Sequence, residues 1–260
     1  MKQWNGLLQK EWIQWRGQII VIVILLLSGL FILPSFAGVL ANGDVSSFEM
    51  TMFISFVAAA ACIFVPVIAL AMMFNKDMKI PDLWLHSTAS TMRLVSVKMA
   101  MSAGMGLAYL LIPVIVVAVR YALTPQPEAI FGELLFYGSL LIGTVFLGSI
   151  QVMVYGFFFI IIDQLLKPLL KGFSFVVTLV LFVISVRVYG EVTSSSFYEK
   201  FIQVGGFDLL AMKNQQIDVR YGYFTFTNTV QYAGEIMFAV LFTGGLFFLT
   251  ITLFDKKVRL

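Results

Sequence analysis

The stretch Gln18–Leu40, QIIVIVILLLSGLFILPSFAGVL, holds 23 residues without one charged side chain. A helix needs about 20 predominantly apolar residues to cross the hydrocarbon core of a bilayer. This segment therefore reads as a membrane span, and five more follow: about 51–74, 99–122, 131–162, 173–189 and 230–254. Composition agrees, with 60% hydrophobic residues, 12% charged and a mean hydropathy of +0.95. Globular domains run nearer half apolar and a quarter charged. The expected fold is an all-α polytopic membrane protein of six transmembrane helices. At 260 residues it forms a single transmembrane domain with no room for a soluble catalytic one.

Before the first span, Trp4, Leu8, Trp12 and Trp15 fall largely along one helical face, with Lys10, Glu11 and Arg16 among them. Indoles at the interface and bases toward lipid phosphate predict an amphipathic helix lying in the headgroup layer over residues 1–17. Ser35-Phe36-Ala37 loosely resembles a signal-cleavage site, but the apolar run before it is long for a signal peptide and more spans follow, so the first span is expected to stay uncleaved. Pro66 and Pro113 sit inside the second and third spans, where a missing amide frees the carbonyl one turn back and kinks the helix. In the fourth, Ser139 and Gly143 form a small-xxx-small pair suited to close helix packing. A basic turn, 163–172, precedes the fifth span, and Arg187 can snorkel outward at that span's end. Residues 190–229 are polar but not uniformly so, and read as short interfacial or re-entrant elements.

Six spans place both termini on one side. That side carries twelve of the 17 lysines and arginines but five of the 14 acids, leaving five basic and nine acidic residues opposite. The lysine and arginine excess assigns the termini, and the polar island Asn75–Lys98, to the cytosol. This island, NKDMKIPDLWLHSTASTMRLVSVK, contains the only histidine, His86, and an apolar stripe of Ile80, Leu83 and Trp84 at i, i+3, i+4. Asp77, Lys79, Asp82 and Arg93 flank the stripe, and Ser90 is placed to N-cap the third span.

Several chemistries are missing. No P-loop signature occurs, so no nucleotide cradle is expected. One histidine excludes a bis-histidine haem and an H-E-x-x-H zinc site within this chain. No span carries paired carboxylates at mid-depth, which leaves a proton relay unsupported. The lone Cys62 lies in an apolar run as a small packing residue. Glu133, Glu235, Arg120 and Arg187 fall at span ends, where interfacial anchoring explains them. Gln151 is the most polar side chain near the middle of a span, and either an interhelical hydrogen bond or contact with a ligand accounts for it. A lining rich in Phe and Met suits an amphiphile, lipid or hydrophobic peptide better than an ion.

The amphipathic opening LLQKEWIQWRG, the six-span layout, the island between spans two and three, a long segment before the last span and the basic ending FDKKVRL together resemble the membrane subunits of ABC-2-type transporters, the permeases of type V ABC exporters. Within the island, Lys76-Asp77-Met78-Lys79 matches the family's acidic start, Asp82-Leu83-Trp84-Leu85 its helical part and Ser87-Thr88-Ala89-Ser90 its turn. Ala89 stands where the family often has proline, and the usual acidic pair is thinned to Asp77 and Asp82. The resemblance implies a bacterial plasma-membrane permease, paired with a second permease chain and with cytosolic ATP-binding subunits that hold ATP and Mg. This chain itself would carry no cofactor, no metal and no catalytic residue, and would contact lipid but not nucleic acid. The resemblance further implies a docking role for Asp77, Ile80, Asp82, Leu83, Trp84, Leu85 and His86, and for the amphipathic start. Residues 190–229 would then be re-entrant helices capping the pathway. Two other readings stay open: a membrane enzyme acting on lipids or isoprenoids through Asp77, Asp82 and His86, and an immunity or sensor protein that sequesters an amphiphilic peptide without pumping it.

Overall fold

The computed structural model describes residues 2–40, 47–78, 90–124, 131–208, 216–219, 222–225 and 230–257. Among the described residues, five helical stretches, Gln3–Phe36, Phe48–Asp77, Thr91–Leu123, Phe131–Thr193 and Ala233–Lys256, are long and apolar enough to cross a membrane. The chain is a polytopic, helical membrane protein. It divides into two compact units. One comprises Met1–Phe74, Arg93–Met153 and Gln216–Thr225; the other comprises Asn75–Met92, Val154–Gln215 and Phe226–Leu260.

Helix α1 (Lys2–Leu40) is a single helix of 39 residues, so the first seventeen residues are not a separate interfacial helix as expected. Gly17 alone costs only about 1 kcal/mol of helix propensity, and burial of Trp15 in the core holds the helix through it. At roughly 1.5 Å per residue α1 is about 58 Å long, well beyond the roughly 30 Å of hydrocarbon.

Pro66 acts as the sequence predicts. Helices α2 (Ser47–Ala61) and α3 (Val65–Asp77) are joined by a 3₁₀ turn over Cys62–Phe64, one turn before the proline. The Cys62 carbonyl, which Pro66 cannot serve, accepts instead from the Val65 amide. Gly106 of α4 (Thr91–Leu123) lies against this bend, where a Cβ would overlap Pro66 Cγ. Helix α4, by contrast, remains α-helical through Pro113. Cys62 is buried in one core cluster with Trp15, Met73, Met105 and Tyr109, in the packing role expected of it.

Helix α5 (Phe131–Leu170) runs past the expected end near Ile162, so most of the expected basic turn is helix. An i,i+4 ion pair, Lys167 Nζ to Asp163 Oδ2 at 3.0 Å, supports the extra turns, and the Ser174 hydroxyl donates to Asp163 Oδ1 at 2.9 Å. The break comes at Lys171–Phe173, a 3₁₀ turn in which Lys171 takes φ 46°. Helix α6 (Ser174–Thr193) follows, with Arg187 exposed and paired to Glu191 at 3.4 Å. The expected Ser139–Gly143 packing pair is exposed, with open space beside Gly143; close approach occurs instead at Gly148, where a Cβ would meet Ile63 at 3.3 Å.

Among the described residues between Ser194 and the last helix, α7 (Ser196–Ile202) is helical, N-capped by the Ser195 hydroxyl, which accepts from the Tyr198 amide. The rest includes four strands, β1 (Gly206–Asp208), β2 (Gln216–Val219), β3 (Gly222–Thr225) and β4 (Val230–Tyr232). β1 pairs antiparallel with β4, Gly206 opposite Tyr232, and β2 with β3, Ile217 opposite Phe224. Aromatic-polar alternation in YGYFTFTN is a strand period, which accounts for β3 in place of re-entrant helix. Helix α8 (Ala233–Lys257) ends the described chain.

Candidate functional site

Residues of α1 at positions 4, 8, 11 and 15 share one stripe at 100° per residue. Trp15 is buried, Leu8 and Trp4 are half-buried, and Glu11 is only 4% exposed. Trp12, expected on this face, is 51% exposed on its flank. The structure thus replaces a tryptophan of the predicted stripe with a carboxylate.

Burying a carboxylate is costly unless a counter-charge and hydrogen bonds come with it. Lys98 of α4 provides them: its Nζ donates to Glu11 Oε1 at 2.7 Å, with both side chains 5% exposed or less. Two turns earlier on α1, Gln3 Oε1 accepts from the guanidinium of Arg93. Toward the other end, Arg120 Nη2 donates to the Phe31 carbonyl at 2.8 Å and to Ser35 Oγ at 3.1 Å, and its guanidinium lies 5.4 Å from the Phe31 ring centre. The Ser35 hydroxyl also donates to the Phe31 carbonyl, at 3.2 Å, so this oxygen gathers donors from both helices. Arg120, read from sequence as an interfacial anchor, fastens α4 to α1.

The three contacts ascend both helices in the same order, 3 to 93, 11 to 98 and 31 to 120. Helices α1 and α4 therefore run parallel, tied at both ends. Near the tie, Ser102 Oγ reaches Met73 Sδ at 3.6 Å, bringing α3 against the same stretch of α4.

The island contracts once its ends fold. Asn75–Asp77 finish α3, and Ser90 immediately precedes α4, the N-cap position expected of it. Asp77 is the half-buried last residue of α3. Ile80, Asp82, Leu83, Trp84, Leu85 and His86 lie outside the described residues. Gln151 is exposed on α5 and is not part of the clamp between α1 and α4. Gln3, Glu11, Arg93 and Lys98 were not singled out as a site by sequence. Their signal was a charge at i+7 from Trp4 on an otherwise apolar face, which in a bundle calls for a buried partner.

No family model matches the chain, and no curated protein and no solved structure matches it.

Proposed function

We propose that this chain is the membrane-spanning permease subunit of an ATP-binding cassette transporter, moving a hydrophobic or amphiphilic cargo outward with ATP hydrolysed by a separate cytosolic subunit. Counting α5 and α6 as separate crossings, reversed at Lys171–Phe173, gives six spans with both termini on the cytosolic, lysine-rich side of a plasma membrane. A second permease chain completes the pathway, and the chain needs no catalytic group of its own.

The observation that carries this reading is the clamp. Gln3–Arg93 and Glu11–Lys98 fasten the first turns of α1 to the first turns of α4, directly after the polar segment 78–90. A soluble partner pressing on that segment would shift the start of α1 and the start of α4 as one piece. Leu83 and Trp84 give such a partner an apolar grip, flanked by Asp77 and Asp82. The test is co-purification with the ATPase from a neighbouring reading frame that carries Walker motifs. Leu83→Ala with Trp84→Ala should release it, whereas an ATPase that stays fully bound removes the docking role.

A further inference from the structure

A second constellation lies wholly within the unit that contains α6, α7 and α8. Along α8, Glu235, Phe238 and Phe242 stand at i, i+3 and i+7, one face of the helix. Tyr198 of α7 meets Phe238 edge-on at 5.4 Å, and Phe238 stacks with Phe242 at 5.9 Å. Phe242 in turn lies 5.8 Å from Tyr155 of α5 and 5.8 Å from Tyr189 of α6. Tyr155 and Tyr189 face one another edge-on at 6.3 Å. Five rings from four helices thus form a ladder with a carboxylate at its first rung.

The backbone holds this arrangement tightly. The amides of Ala233 and Gly234 donate to the carbonyls of Gly205 and Val204, and a Cβ on Gly234 would overlap the Ile202 carbonyl. Tyr198 is therefore fixed over the first turn of α8. Two of that helix's four free amides are already satisfied, so its N-terminus is not an open anion site. Packing alone does not call for this composition. Three of the five rings are tyrosines, and among the described residues neither their hydroxyls nor Glu235 has a hydrogen-bond or ion-pair partner. None of the six residues is fully buried. Burial, then Tyr189 and the Glu235 carboxylate, push the Tyr198 phenol above its ordinary value.

We infer that this ladder is a binding site for a lipophilic organic cation, held by the rings of Phe238 and Phe242 and the rings and hydroxyls of Tyr155, Tyr189 and Tyr198, and paired with the Glu235 carboxylate. Ring faces are negative and attract a soft cation, most strongly where water is thinned. A single carboxylate beside neutral phenols does not suit a metal ion, and among the described residues no group of three His, Cys, Asp or Glu side chains placed to hold one occurs. An anion would meet both the carboxylate and the ring faces with the wrong sign. That the cation is cargo rests on the transporter reading above; that it binds does not.

The test uses two probes of one shape and opposite charge, tetraphenylphosphonium and tetraphenylborate, in equilibrium dialysis against the full-length chain in uncharged maltoside micelles. Tetraphenylphosphonium should bind saturably, and tetraphenylborate should only partition as it does into empty micelles. Glu235→Gln, which keeps shape and removes charge, should weaken the cation about tenfold, equivalent to about 1.4 kcal/mol. Phe242→Leu should weaken it about threefold by removing one ring face. Both variants should elute as the same species as the wild type. No saturable cation binding, equal binding of the two ions, or an affinity unmoved by both substitutions overturns the site. The assay holds no nucleotide and no ATPase, so its failure leaves the docking experiment untouched, and failure of docking leaves the site standing.

Discussion

Replacing Lys98 with methionine keeps most of its volume and leaves the Glu11 carboxylate buried without its cation. At an N–O separation of 2.7 Å and an effective dielectric near 20, the gross attraction is about 6 kcal/mol. Desolvation of both groups opposes it, so the pair as a whole is worth little relative to an apolar pair of the same size. Removing one partner is a different matter, because the remaining charge keeps its desolvation cost and loses the compensation. Lys98→Met should therefore lower stability by about 3–5 kcal/mol, and Glu11→Leu by a similar amount. The double variant Glu11→Leu with Lys98→Met should recover to within about 1 kcal/mol of wild type. Unfolding in a denaturing-detergent titration, followed by tryptophan fluorescence, measures all four proteins, with Trp15 adjacent as a reporter. Single losses that simply add in the double variant, with a coupling under about 0.5 kcal/mol, would refute a buried pair between α1 and α4.

Three further perturbations test the packing by the same titration. Gly106→Ala drives a methyl into Pro66 and should cost about 1–3 kcal/mol, whereas Gly104→Ala, one position pair away in open space, should be tolerated. Gly234→Ala should cost at least as much, since its methyl meets backbone rather than a side chain, while Gly244→Ala on the same helix should be near neutral or stabilising. Arg120→Leu removes the bonds to Phe31 and Ser35 and should cost about 1–3 kcal/mol.

Much of the architecture was legible because it depends on local chemistry. Apolar runs of sufficient length become membrane helices whatever surrounds them, and Pro66 breaks its helix by lacking an amide. The boundaries were less legible. Gly17 and the charges around it resembled a junction, yet the helix continues because Trp15 packs into the core on the far side of it. Asp163–Leu170 resembled a loop by polarity, yet its ion pair is an intrahelical one.

By itself the sequence determined that this chain is a multi-helix membrane protein and that it carries no P-loop signature. It could not determine which charges meet. Glu11 and Lys98 are 87 residues apart, and Tyr198 and Phe238 belong to elements separated by two strand pairs. Burial of a charge is decided by the partner that the fold carries to it, and an aromatic ring becomes part of a site only when helices distant in the chain bring other rings beside it. Those pairings, the clamp on α1 and the ladder beside Glu235, belong to the tertiary structure alone.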